Sequence, residues 1–168
     1  HLLDLARFLF GEANSVFCRT QQIREGIAGE DAATILLSHE QGATSVLDFS
    51  YATKRDPDPF PQTLGEIEGT DGTLVIGADQ VLTVHGKSGT RQITVPQDGR
   101  AWTSAPWTQI QDSVVHTQRH FIDSLRRGTE PATSGRDSLA TYALLEAAYL
   151  SAASGRLIHP DRLVGDPA

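Results

Sequence analysis

ATILLSHEQGATSVLDFSYA, residues 33–52, reads as two strands joined by a tight turn. Ala33–His39 and Thr44–Ala52 are rich in β-branched and aromatic residues, and Glu40-Gln41-Gly42 between them is a hairpin signal. Successive side chains of a strand point to opposite faces. Leu47, Phe49 and Tyr51 therefore share one face of the second strand, and Asp48 and Ser50 the other. In the first strand Ile35 and Leu37 stand opposite Leu36, which puts apolar residues on both faces.

Upstream, Val16–Ile23 has strand character, and Leu2–Phe10 reads as a helix. Leu2, Leu5, Ala6 and Leu9 recur at helical spacing, and Gly11 is a natural residue to follow the last turn. Downstream, residues 53–62 (TKRDPDPFPQ) place Pro57, Pro59 and Pro61 at alternate positions, which a central strand does not tolerate. This stretch reads as a stiff, extended loop, either a plain connector or a site rim that carries Phe60. Four short strands follow. Leu64–Glu68 joins Thr73–Ile76 through Gly69-Thr70-Asp71-Gly72, with the Asp-Gly pair at the turn, and Gln80–His85 joins Thr90–Val95 through Gly86-Lys87-Ser88-Gly89. Residues 96–109 are irregular and hold both tryptophans, Trp102 and Trp107.

Ile110–Arg127 is the clearest helix, with Ile110, Val114, Phe121, Ile122 and Leu125 as its apolar stripe and Gly128 after its basic last turn. A second helix enters at Ser134-x-x-Asp137 and runs to Gly155. Its many alanines suit close approach to a sheet. Leu157–His159 fits a final edge strand. A helix, then a run of strands, then two helices predicts an α+β domain. We expect a large, mostly antiparallel sheet with helices on one face and the other face open for self-association.

With 168 residues, 39% hydrophobic and 21% charged, the chain is expected to be a single domain with a real core. Its net charge of −7 argues against nucleic-acid and anionic-membrane partners, which need a basic face. Cys18 is the only cysteine, so no disulfide forms within the chain, and a reducing, cytoplasmic location is the simplest expectation. Its strand-like setting reads as a buried thiol. No apolar run is long enough for a transmembrane helix.

The chain contains no G-x-G-x-x-G, P-loop or G-x-S-x-G. Residues 65–77 (GEIEGTDGTLVIG) read as hairpin glycine, so no cofactor-binding residue is expected here. His116 and His120 have helical i, i+4 spacing but lack the glutamate of H-E-x-x-H, and they point away from the apolar stripe. They read as exposed histidines, and no metal is expected. His39 and His85 stand at strand ends, where a structural role is the simpler reading.

His1 and Asp4 remain. Histidine exchanges protons near neutral pH. At a helix N-terminus the dipole disfavours the imidazolium, which keeps the ring able to accept a proton. Asp4, one turn on, either supports the ring or is a first-turn acid that pairs with Arg7. The chain has no Met and begins at His1, so we expect it to be the second part of a longer two-domain enzyme.

H-L-L-D-L-A-R-F-L-F-G-E (His1–Glu12) resembles the segment that opens the substrate domain of the Gfo/Idh/MocA oxidoreductases. F-I-D-S-L-R-R-G-T-E-P (Phe121–Pro131) and A-Y-L-S-A-A-S-G-R (Ala148–Arg156) resemble that family's two closing helices. The strands around Glu68-Gly69-Thr70-Asp71-Gly72 are similar in order and spacing to its sheet. The resemblance implies an NAD- or NADP-dependent enzyme whose cofactor sits mainly in an N-terminal Rossmann domain upstream of this chain. It implies a sugar or polyol substrate, inositol-like included, oxidised at a secondary hydroxyl, and a homodimer or homotetramer. His1 matches the histidine of the family's D-x-x-x-H set, and Asp4 its supporting second acid. The aspartate and lysine partners would lie upstream, so the isolated chain is expected to be inactive. Tyr51, Arg55, His85 and Trp107 are substrate-binding candidates, because polyol recognition uses aromatic walls and hydrogen-bond donors. The alternative is a catalytically inactive, self-associating module of the same fold. A third reading is a metal- or ligand-binding protein unrelated to oxidoreductases.

Overall fold

Helix α1 spans Leu2–Phe10, the predicted bounds. Its N–H of Gly11 closes onto the carbonyl of Arg7 at 2.8 Å, with Gly11 at φ 78°. Its buried face differs from the expected stripe. Leu3, Ala6 and Arg7 are buried, whereas Leu5 and Leu9 are exposed. Apolar residues occupy so many positions of this helix that more than one face satisfies helical spacing. The sheet it packs against selects Leu3 and Ala6.

The computed structural model describes residues 1–56, 58, 60, 63–78, 81–96 and 99–162. Pro57, Pro59, Pro61 and Gln80 lie outside the described residues. The chain divides into two units, residues 1–53 with 132–168, and residues 54–131.

In the first unit, β1 (Ala13–Gln21), β2 (Ala32–His39) and β3 (Thr44–Ser50) form an antiparallel sheet in the order β1-β2-β3. Cys18 pairs with Ile35 and Ile35 with Leu47, while Val16 pairs with Leu37. These residues face the helices. With Leu3, Ala6, Leu144, Ala147 and Ala148 they form the core. Val16 and Leu37 are fully buried, each worth about 1.5–3 kcal/mol of apolar transfer. The opposite face carries the register row Phe17, Leu36 and Val46, of which Leu36 and Val46 are exposed. This is the open apolar face expected from Leu36.

Helix α2 (Thr108–Arg127) belongs to the second unit. Helix α3 (Gly135–Ser154) lies on β1. Ser134 caps it by accepting the N–H of Asp137 at 3.1 Å, as the capping pattern predicts. Its buried residues are Ala143, Leu144, Ala147, Ala148 and Ser151, so the alanine-rich face is the one that meets the sheet. Ser151 also closes the outer edge of β1. Its hydroxyl accepts the N–H of Cys18 at 2.9 Å and donates to the carbonyl of Arg156 at 2.6 Å. Next to it, Val16 and Ile158 exchange backbone hydrogen bonds at 2.8 and 2.9 Å. The edge strand expected at 157–159 is thus a single bridge, followed by a 3-10 turn at Pro160–Arg162. An edge strand covered this way offers no free template for pairing.

In the second unit, β4 (Gly65–Gly69), β5 (Gly72–Ile76), β6 (Val81–Gly86) and β7 (Gly89–Thr94) form a four-stranded antiparallel meander. Gly69 pairs with Gly72, so Thr70 and Asp71 are the turn and Gly72 already belongs to β5. A Cβ on Gly72 would stand 2.0 Å from the carbonyl oxygen of His85, which is why glycine is required there. Helix α2 (Thr108–Arg127) ends at Gly128 in the left-handed region. Its stripe Ile110, Val114, Phe121, Ile122 and Leu125 is exposed, and its buried residues are Asp112 and Ser124. The α+β class with antiparallel sheets is as predicted, and the described strands fall into two sheets.

Replacing Ser151 with Ala strands the buried N–H of Cys18, which costs about 1–3 kcal/mol. We expect Ser151→Ala to lower the urea midpoint well beyond Ser154→Ala, whose hydroxyl is exposed and bonds only within its helix. Equal midpoints for the two variants would contradict this role.

Candidate functional site

A cavity of about 260 Å³ opens in the first unit between the N-terminus of α1, the sheet and α3. Its floor is apolar, made by Leu3, Cys18, Ile35 and Ala148, all buried. Its rim is polar and aromatic. His1 precedes α1, Tyr51 follows β3, Glu30 precedes β2, and Tyr149 comes from α3. Two of the sequence candidates, His1 and Tyr51, therefore meet at one cavity. An apolar base under a few convergent polar groups is the usual character of a small-molecule site.

His1 is held through its backbone, because its carbonyl accepts the N–H of Leu5 at 2.9 Å and begins the helix. Tyr51 is fixed by its N–H, which donates to the carbonyl of Asp31 at 2.8 Å. Glu30 sits at the end of the β1–β2 connection. That loop is ordered by Asp31, whose carboxylate accepts the N–H of Ile23 at 2.7 Å and of Arg24 at 2.9 Å. Those bonds, Ile23 first, hold the Asp31 carboxyl below its ordinary range. The phenol of Tyr149 donates to Glu30 at 2.6 Å. That bond raises the Tyr149 phenol, so it stays protonated. Cys18 beneath them is a buried thiol, raised first by burial and then by the Glu30 charge. It is inert packing, as the sequence suggests.

Asp4 turns to α3. Its carboxylate accepts the hydroxyl of Thr141 at 2.8 Å and lies 3.5 Å from Arg7. These contacts tie α1 to α3. Arg7 is the centre of that contact. Its guanidinium is buried and donates to both oxygens of Glu12 at 2.9 and 2.6 Å. It also donates to Thr141 at 2.6 Å and to the Asp137 carboxylate at 3.2 Å. Paired carboxylates, Glu12 foremost, hold the guanidinium above its ordinary pKa, and Arg7 in turn holds Glu12 below its own. His39 is structural. Its ring nitrogens bond the carbonyl of Gly11 and the hydroxyl of Ser45, both at 2.8 Å.

The other candidates belong to the second unit. Arg55 is exposed at its start. His85 on β6 bonds Thr90 on β7 at 3.0 Å. Trp107 precedes α2 and meets the ring of Phe60 edge-on at 5.5 Å. His116 and His120 are exposed on α2, as their spacing suggests. Among the described residues, no group of three or more His, Cys, Asp or Glu side chains is placed to hold a metal ion. All described strand pairs are antiparallel, so the described residues do not form the strand–turn–helix cradle that receives a dinucleotide pyrophosphate. No helix among them is long and apolar enough to cross a membrane.

Residues 1–75 match the GFO/IDH/MocA C-terminal domain. A D-apiose dehydrogenase of Paraburkholderia graminis is 53% identical over 158 residues, covering 94% of this chain and 42% of that protein. This chain belongs to the Gfo/Idh/MocA family, as its C-terminal domain. A D-apiose dehydrogenase of Rhizobium rhizogenes is 47% identical, covering 94% of this chain and 46% of that protein. The crystal structure of an oxidoreductase from Agrobacterium radiobacter, in complex with NAD+, L-tartaric acid and magnesium, superposes with a TM-score of 0.95. It is 45% identical and is matched over 98% of this chain and 48% of its own. The chain spans less than half the length of these relatives.

Glu30 and Tyr149 escaped the sequence reading. They lie 119 residues apart and carry no local pattern; only the packing of α3 on the sheet brings them together. The Arg7 cluster makes a pH-dependent prediction. Glu12 titrates below its ordinary value of 4.5 in the folded chain, so its contribution is present above that value and is lost as pH falls through the lower, folded one. Arg7→Met is expected to destabilise the chain by about 2 kcal/mol at neutral pH, because the partners are half-exposed. Urea unfolding should show that gap closing as the pH is lowered through the carboxylate range. A gap that stays constant into acid would contradict the charge-based account.

Proposed function

We propose that this chain is the substrate-binding half of an NAD- or NADP-dependent sugar or polyol dehydrogenase, with D-apiose the first sugar to test. The observation that carries the proposal is the meeting of His1 and Tyr51 at an apolar-floored cavity. The D-apiose dehydrogenases above support the sugar class. In this reading the cofactor is held mainly by an upstream Rossmann domain, and the two-domain enzyme works in the cytoplasm.

The carbon skeleton of the sugar lies on Leu3, Cys18 and Ala148, and its hydroxyls reach the rim. The imidazole of His1 accepts the proton of the hydroxyl being oxidised. The ring stands exposed at the start of α1, where an imidazole can act as a general base. Asp4 and Arg7 hold α1 on α3 and so fix where His1 stands. The nicotinamide cofactor supplies the hydride acceptor, and this chain supplies the proton acceptor. Tyr51 forms an aromatic wall of this cavity.

A second reading rests on a separate observation. The outer face of the β1-β2-β3 sheet exposes the apolar row of Leu36 and Val46 beside Phe17. That face supports assembly into a homodimer or homotetramer, and a catalytically inactive module would use it too. Sedimentation of the full-length protein should show an oligomer that Val46→Asp shifts toward monomer. A wild-type monomer at high concentration would remove this reading.

For the catalytic reading, His1→Ala in the full-length enzyme is expected to lower turnover of D-apiose about 10²–10⁴-fold while leaving cofactor affinity unchanged. Turnover within a few-fold of wild type would overturn the role of His1.

A further inference from the structure

The Glu30–Tyr149 pair has no part in the proton transfer proposed for His1, yet it occupies the same cavity rim. Its geometry is specific. Asp31, the neighbouring acid, spends both carboxylate oxygens on the backbone of Ile23 and Arg24, which leaves Glu30 as the acid available to a ligand. Tyr149 donates to one oxygen of Glu30 and holds the carboxylate in place. An ionised carboxylate is an acceptor only, with about four lone-pair sites. The phenol uses one, and the rest can accept from neighbouring hydroxyls of one ligand. The floor below is apolar and suits the C–H face of a sugar.

We propose that Glu30, oriented by Tyr149, accepts hydrogen bonds from vicinal hydroxyls of a neutral sugar and turns away sugar acids. This inference rests on the sugar-dehydrogenase reading above and names the substrate class of that same site. Two consequences follow from the fixed negative charge. A vicinal diol gains charge-assisted hydrogen bonds, worth roughly ten- to hundredfold in affinity. A ligand carboxylate at the same place meets like-charge repulsion with no cation on the rim to offset it among His1, Glu30, Tyr51 and Tyr149 unless the imidazole is protonated. His1 acts on one hydroxyl, and Glu30 selects the company that hydroxyl keeps.

The test compares full-length wild type with Glu30→Gln, Tyr149→Phe and His1→Ala, using D-apiose as the neutral substrate and L-tartrate as an anionic diol inhibitor. Glutamine keeps the shape of Glu30 and an acceptor for the Tyr149 phenol, so folding should survive, and a thermal melt checks that. Glu30→Gln is expected to raise the KM for D-apiose about tenfold with kcat within about twofold, and to tighten tartrate inhibition about tenfold. Tyr149→Phe should raise KM less. His1→Ala should show the opposite split, a fall in kcat at little-changed KM. If Glu30→Gln leaves both KM and tartrate inhibition at wild-type values, the assignment of Glu30 is overturned while the role of His1 stands. If wild type does not oxidise D-apiose, the sugar-dehydrogenase reading for that sugar fails. Calorimetric binding of neutral pentoses then still decides the matter: affinity that falls about tenfold in Glu30→Gln supports the assignment, and unchanged or absent binding overturns it.

Discussion

Burying the guanidinium of Arg7 is the constraint on which the first unit depends. A buried charge left without a partner is costly, by several kcal/mol. Arg7 meets that demand with Glu12 at the entrance to β1, and with Asp137 and Thr141 on α3. Asp4, one turn earlier on α1, joins the same cluster through Thr141. Two stretches far apart in the chain, residues 4–12 and 137–141, must assemble before the charge is satisfied. Once they do, α1 is held against α3, and His1, which precedes it, lines the cavity. The small side chains of α3 make this possible, since Ala147 and Ala148 let the helix come close enough to the sheet for Ser151 to reach the backbone of β1.

The same packing builds the cavity. Sheet and helix supply an apolar floor, and their ends supply the polar rim. His1 comes from a helix start, Tyr51 from a strand end, Glu30 from a loop pinned by Asp31, and Tyr149 from the helix that covers β1. Rigid elements thus carry the side chains that would meet a ligand, which is how a site keeps its geometry without dedicated scaffolding.

Much of the fold was legible in the sequence where the signal is local. Alternation in 33–52 gave β2 and β3 and their inward faces, and Ser134-x-x-Asp137 marked the start of α3. Leu2–Phe10 gave α1 to the residue, but not its buried face, because seven apolar positions on a nine-residue helix satisfy more than one stripe. The turn between β4 and β5 was read one residue late, since Gly72 is needed for close approach to His85 rather than for the turn itself. Of the residues lining the cavity, His1 and Tyr51 were among the sequence candidates, one for its place before a helix and one as an aromatic wall for a polyol. The burial of Arg7 and the Glu30–Tyr149 pair were not, because charge satisfaction across 119 to 134 residues leaves no periodic trace. Asp4 and Asp137 were each visible, and each had a sufficient local explanation as a first-turn helix acid.

The most direct test of the account is a crystal structure of the full-length protein with its nicotinamide cofactor and D-apiose bound. One sugar hydroxyl is expected within about 3 Å of a ring nitrogen of His1, with the sugar's carbon skeleton over Leu3 and Cys18. A sugar bound with no atom near His1, or a cavity filled by side chains from the rest of the polypeptide, would contradict it.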